Sequence, residues 1–215
     1  MHLKRQQVPK SWDIPRKGTK YVIRPGSNME KGIPLLILLR DLLKVVQNRK
    51  ELKKAIKLDA LLLNGNPVMD EKQSVVIFDK ISLKPMKKNY ELAISEKGKF
   101  YLREIKESEA NQKISKIINK KILKKKKVQI NLSDGYNFIS DVKCKVNDSV
   151  IIDFKQKKLL KCIPLAEKAK AIVFEGKHVG KEGIIKKIDL EKKNVEMEVK
   201  GKQINVLIKQ LMVKE

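Results

Sequence analysis

Residues 48–68 (NRKELKKAIKLDALLLNGNPV) constrain the fold more than any other stretch, because they dictate a helix, a strand and a chain reversal in immediate succession. Asn48 can cap a helix, and Glu51 three residues later completes an arrangement of the capping-box kind. Within that helix Lys50, Lys53, Lys54 and Lys57 fall at i, i+3, i+4 and i+7 and so share one face. Leu52, Ala55 and Ile56 fall on the opposite face and are expected to be buried. Asp59, near the helix end, is expected in the left-handed region, which Asp tolerates better than most residues. Three leucines at 61–63 then run into Asn64-Gly65, a strong signal for a strand that doubles back. A helix that is apolar on one side and cationic on the other suits an anionic partner. A rigid turn beside it fixes where that partner sits.

The rest of the chain carries the same sign. Fifty Lys and Arg against 25 Asp and Glu give a formal charge of +25 over 215 residues, a surface that attracts phosphate backbones. Only six of the cations are arginine, at positions 5, 16, 24, 40, 49 and 103. Lysine is a point charge suited to non-bidentate phosphate contact, whereas arginine suits planar readout. Recognition of shape and backbone is therefore favoured over base-by-base reading. A lysine-biased genome accounts for part of the excess, but not readily for a surplus of 25 positive charges.

At 41% hydrophobic residues the chain can bury a core, divided among two to four small domains. Cys144 and Cys162 form no CxxC pair and read as small core hydrophobes in a reducing compartment. Residues 1–10 are polar and basic, unlike a signal peptide. The apolar run at 33–39 is far shorter than the ~20 residues of a membrane span. A cytoplasmic protein without membrane association is expected.

The architecture expected is α+β and β-rich, in four segments. Residues 1–32 hold three of the seven prolines and no sustained apolar period, which predicts an extended basic arm. Its one bulky anchor, Trp12, either packs onto its own domain or stacks on a base. Residues 33–84 read as two helices followed by short strands. The first opens at Gly32 and Pro34 and runs through Leu35, Leu38, Leu39, Leu42, Leu43 and Val46, with Arg40 and Lys44 on one strip. Strands are expected at 60–63, 74–78 and 81–83. Residues 85–168 turn mostly β, with a hairpin at Glu96-Lys97-Gly98 and turns at Ser133-Asp134-Gly135 and Asn147-Asp148. A short helix is expected at 107–113, and 114–123 is open between helix and strand. In residues 169–215 Val195, Met197 and Val199 alternate with Glu196 and Glu198, as in a strand with one buried face. Strands at 171–175, 183–189, 195–200 and 203–208 would make an SH3-like barrel.

Few residues suggest other chemistry. Gly176, Gly180 and Gly183, interleaved with Lys177, His178 and Lys181, allow close backbone approach to a phosphate or base, but equally serve ordinary turns. The series is neither a Walker loop nor a dinucleotide fingerprint. His2, His178 and the two cysteines fit no zinc spacing. No serine sits in a GxSxG setting, and no convergent titratable groups are legible. No metal, cofactor, small-molecule substrate or catalysis is expected. The run Lys124, Lys125, Lys126 and Lys127 is either an RNA contact or a charged strand edge that blocks edge-to-edge pairing.

Taken in order, these segments resemble the archaeal and eukaryotic small-subunit ribosomal protein family S4e along essentially the whole chain. HLKR (2–5) with PKSW (9–12) is similar to the family's N-terminal signature. PLLILLRDLLKVVQNRKELKKAI (34–56) and LLLNG (61–65) resemble its S4-type RNA-binding domain. KGKFYL (97–102), QINLSDG (129–135) and KVNDSVIIDF (145–154) resemble its central domain, and AIVFEGKHVGKEGIIKKI (171–188) its KOW element. The resemblance implies a non-catalytic structural component of the small ribosomal subunit, cytoplasmic and ribosome-bound. Its partners would be ribosomal RNA and neighbouring ribosomal proteins, with no homo-oligomer. The RNA contacts implied are Lys4, Arg5, Lys10, Trp12 and Arg16 in the arm, and Arg40, Lys44, Asn48, Arg49, Lys50, Lys53, Lys54, Lys57, Asn64 and Gly65 in the S4-type domain. The set continues with Lys124 to Lys127 and with Gly176, Lys177, His178, Gly180 and Lys181. Asp59 stands where the S4 motif usually has glycine, and Lys80 where an apolar residue is usual. The end of the chain soon after the KOW segment reads as archaeal in length. The rival reading is a KOW-type regulatory factor associated with RNA polymerase.

Overall fold

The computed structural model describes residues 2–27, 29–123, 127–140 and 142–214. The arm is not extended as expected but folds back on itself. Leu3–Lys4 (β1) pairs antiparallel with Tyr21–Val22 (β2). The Arg5 guanidinium closes the intervening loop by donating to the carbonyls of Pro15 (2.7 Å) and Thr19 (2.8 Å) and to the Thr19 hydroxyl (2.8 Å). Trp12 is buried, and its indole N–H donates to the Gly32 carbonyl at 3.2 Å. One large apolar anchor and one multiply bonded guanidinium thus do for this segment what an apolar period does elsewhere.

Gly32–Pro34 forms a strand (β3) rather than the expected start of a helix. A Cβ on Gly32 would lie 2.7 Å from the Ser74 hydroxyl oxygen and 3.0 Å from the Val75 carbonyl oxygen, so a larger residue would force β3 and β6 to shift. The leucine run then forms Leu35–Ile37 (α1), continued by a wide π-helical turn at Leu38–Leu42. Residues 35–39 are all buried, as befits a helix apolar on every side. The helix stops short of Val46 because Lys44 takes φ +55°, a left-handed conformation that ends helices. Arg49–Lys57 (α2) follows, capped by Asn48 as expected.

Leu61–Leu63 (β4) and Asn66–Pro67 (β5) close the expected hairpin, with φ +51° at Asn64 and +75° at Gly65. That pair of positive φ values makes the tight two-residue turn whose twist matches the strands. Ser74–Val76 (β6) pairs with β3, and Lys80–Leu83 (β7) pairs with β4. Lys88–Ile94 (β8) and Phe100–Ile105 (β9) complete an antiparallel sheet of order β5-β4-β7-β8-β9. This sheet runs across the boundary expected at 84/85. The chain instead separates into units of residues 1–111 and 112–215.

The short helix expected at 107–113 is absent. Its first residues turn, and Gln112–Ile122 (β10) begins at once, which resolves 114–123 as strand. Val128–Leu132 (β11), Asn137–Ile139 (β12), Ser149–Asp153 (β13) and Lys158–Ile163 (β14) join it in a sheet of order β12-β11-β10-β13-β14. Its core holds Ile117, Ile130, Leu132, Cys144, Val150 and Ile152. The second sheet of this unit, β18-β17-β16-β15-β19, comprises Lys170–Val173 (β15), Glu182–Asp189 (β16), Asn194–Val199 (β17), Lys202–Leu207 (β18) and Leu211–Val213 (β19). Val195, Met197 and Val199 are buried there, as their alternation predicts. The strand β19 has no sequence signal beyond three apolar residues. Buried Lys116 of β10 ties the two sheets together by donating to the carbonyls of Ile208 and, at 2.7 Å, Leu211. The Val213 N–H adds a bond to the Ser149 hydroxyl at 3.0 Å.

Candidate nucleic-acid interface

The lysine face forms because the start of α2 is fixed chemically. Asn48 sits in extended backbone, and its side-chain oxygen accepts from the Glu51 N–H at 3.0 Å. The Glu51 carboxylate reaches back past the cap to the Gln47 N–H at 2.8 Å, one residue beyond the usual capping-box donor. Leu52 is fully buried, whereas Lys50, Lys53, Lys54 and Lys57 are all exposed. The helix ends at Asp59, whose φ of +49° is the left-handed conformation expected of it. An Asp therefore fills the turn position for which a glycine would carry no steric cost.

Carboxylates hold part of this cationic surface in place. Glu71, nearly buried, accepts from Arg49 Nε at 2.9 Å and also contacts Arg49 Nη2, while Lys53 Nζ lies 3.8 Å away. Arg40 pairs with Asp41 at 2.9 Å, and that hydrogen bond raises the guanidinium's pKa above its ordinary value. Lys44 is exposed but stands beyond the helix rather than on a helical strip with Arg40. Lysines 50, 53, 54 and 57 thus present one contiguous face, with Arg49 positioned at its rim by Glu71.

Elsewhere the expected contacts divide. Lys4, Lys10 and Arg16 are exposed, but Arg5 is engaged in closing the arm. Trp12 is corrected from a candidate stacking residue to a packing residue, since it is only 3% exposed. Asn64 is corrected likewise. It is 1% exposed, its amide donates to Asp79 Oδ1 at 2.7 Å and its side-chain oxygen accepts from the Lys80 N–H at 2.9 Å. Gly65, at the tip of the turn, is exposed. Lys124, Lys125 and Lys126 lie outside the described residues, and Lys127 is exposed beside β11.

Gly176 and Gly180 lie between β15 and β16, and Gly183 lies within β16. Gly176 and Gly180 have φ of +92° and +79°, and the Gly180 N–H closes the loop onto the Val173 carbonyl at 2.7 Å. Gly183 serves packing, because a Cβ there would come within 2.2 Å of the Glu198 carbonyl oxygen. Lys177 is exposed, and Lys181 Nζ lies 3.2 Å from His178 Nδ1. Cys144 is buried, and the Cys162 thiol is inert in character. Burial, followed by Cys144 and Asp148, pushes Cys162 up to about 12.

One cationic feature has no local sequence signature. The folded arm and α1–α2 enclose an open groove of about 710 Å³ whose lining includes Tyr21, Arg24, Arg40, Arg49 and Lys72. It forms because the Gly26 N–H donates to the Lys72 carbonyl at 2.9 Å, joining segments 46 residues apart. The hint in the sequence is the placement of the six arginines, four of which line this groove.

The chain is similar to known proteins over most of its length. Residues 86–159 match the model of ribosomal family S4e, and residues 1–27 match that of the RS4NT domain. The small ribosomal subunit protein eS4 of Methanocella arvoryzae is 38% identical over 190 residues, covering 87% of this chain and 80% of that protein. The eS4 protein of Nanoarchaeum equitans is 33% identical over 191 residues, with 87% and 82% covered. Among solved structures, the 30S ribosomal protein S4e of Thermoplasma acidophilum superposes with a TM-score of 0.72 at 23% identity, covering 85% of this chain and 94% of that one.

Proposed function

The chain belongs to ribosomal family S4e, and from that premise we propose that it is a structural constituent of the small ribosomal subunit which binds and stabilises ribosomal RNA. The single observation that carries the reading at residue level is the exposed lysine face of α2, held by a capped helix over a fully buried Leu52. In this reading residues 33–84 carry an S4-type RNA-binding surface within the first unit, and residues 169–215 act as a KOW barrel of SH3-like form. The 176–183 loop and the exposed cations of the arm make further contacts. The protein works in the cytoplasm beside neighbouring ribosomal proteins and performs no catalysis. A-form RNA hides its base edges in a deep, narrow groove, so a lysine-dominated surface reads phosphate positions and shape. The relatives' ribosomal names lend nothing to the alternative of a polymerase-associated factor.

The test reverses the face. Lys50→Glu, Lys53→Glu and Lys54→Glu together weaken binding to small-subunit RNA and flatten its salt dependence by ~0.7–0.9 in log–log slope for each phosphate no longer neutralised. An unchanged slope would reduce the face to a solvated helix surface.

A further inference from the structure

We propose that the groove between the folded arm and α1–α2 takes an unpaired, unstacked nucleotide of the bound RNA, with Tyr21 as the stacking platform. This rests on the RNA-binding reading above but names a different site and a different RNA feature. Among the described residues its lining contains five Lys or Arg and no carboxylate, so the phosphate of a nucleotide meets no opposing charge. The acids that hold two of those arginines, Asp41 and Glu71, lie outside the lining. They aim the guanidiniums of Arg40 and Arg49 without occupying the groove. Arg24 and Lys72 are exposed, and their charges complete the cationic wall. Arg5, bonded three times to the arm itself, closes the loop that leads into Tyr21.

Among the described lining residues Tyr21 is the larger of two exposed aromatic rings, the other being His2. It is 48% exposed although β1 pins its backbone, so it presents a ring at low entropic cost. The His2 ring lies 5.3 Å away, tilted by 44°, and Lys20 Nζ sits 5.4 Å from the Tyr21 centroid. Stacking on such a ring is how single strands are held without sequence preference, and Lys20, which sits over one face of it, brings a cation to the site. A duplex offers no free base face to this ring. The groove's size falls in the range of about 300–1,000 Å³ typical of sites for small organic groups. Four of the six arginines line this groove, three of them held in place by bonds to the arm, Asp41 or Glu71, so the positive charge is fixed in position before a ligand arrives.

The experiment measures anisotropy of two fluorescein-labelled probes with the full chain, an eight-nucleotide oligouridylate and a paired RNA duplex of equal length. Tyr21→Ala is expected to weaken oligouridylate binding by ~5- to 150-fold, the equivalent of ~1–3 kcal/mol per stacked base, while duplex binding changes less than ~2-fold. Tyr21→Phe restores the single-strand affinity, because the ring rather than the hydroxyl does the stacking. Arg24→Glu gives a second, independent weakening on the same probe and keeps the test decisive if Tyr21→Ala perturbs the arm. Unchanged oligouridylate binding in both Tyr21→Ala and Arg24→Glu overturns the proposal, as does equal weakening on both probes. The reversed lysine face provides the separate arm. Weakened duplex binding there upholds the wider RNA reading even where Tyr21 fails, and retained duplex binding there contradicts that reading alone.

Discussion

Lys80 shows how a single misfit residue can be explained by its neighbours. It is a charged side chain buried at the start of β7, a strand whose other buried residues are apolar. Register places it beside Glu91 of β8, which in turn lies beside Arg103 of β9, so three charges form one row across three strands. Lys80 Nζ meets Glu91 at 2.7 Å, with both side chains 7% exposed, and Arg103 approaches the other carboxylate oxygen. Removing one partner strands a buried charge, so Glu91→Leu should lower stability by ~3–5 kcal/mol, seen as a lower urea midpoint. Adding Lys80→Met to it should recover most of that stability, because an apolar pair fits the same sheet. Lys116 makes the complementary case. Burial lowers its ammonium to about 8 from 10.5, with Glu175 opposing the shift. Between pH 8 and 10.5 the unfolded chain therefore holds a proton that the folded chain has released, so this group's contribution to stability rises with pH across that window. Lys116→Met should abolish that increment in a comparison of pH-dependent melting. It should also cost ~1–3 kcal/mol at neutral pH by orphaning two carbonyls.

At the scale of elements, local chemistry made some features legible and long-range partners hid others. The α2 cap, the Asn64-Gly65 reversal and the alternation of β17 all follow from neighbours within a few residues, and all form. Asn48→Ala should destabilise the first unit by ~1 kcal/mol, read from faster amide exchange in α2. Asn64 misled because its turn chemistry was visible but its inward side chain was not, since Asp79 lies 15 residues away. Trp12 could be assigned neither to packing nor to stacking until Gly32 supplied a carbonyl for its N–H. The first helix read long because every residue from 35 to 39 is apolar. A pattern apolar on all sides carries no phase, so it cannot announce where a wide turn and a left-handed Lys44 will end it.

For the whole molecule, the division of the chain was the least legible quantity. The turn at 84–87, with φ +51° at Lys87, joins β7 to β8 within one ladder, so a composition change there marks no boundary. Only the pairing of strands reveals it, and strand partners are not written in local periodicity. The charge, by contrast, is a global property that sequence reports directly. It agrees with membership of a ribosomal family, and the geometry adds which cations are exposed on one face and which are tied to Glu71, Asp41 or the arm. Each phosphate contact weakens with salt, so retention through a salt wash separates a subunit constituent, held by many contacts at once, from a loosely bound cation. Sucrose-gradient sedimentation of source-cell extract, followed by a high-salt wash of the small-subunit fraction, measures this. The protein is expected to migrate with the small subunit and to remain there after the wash. Migration with RNA polymerase, and absence from washed small subunits, would contradict a ribosomal role.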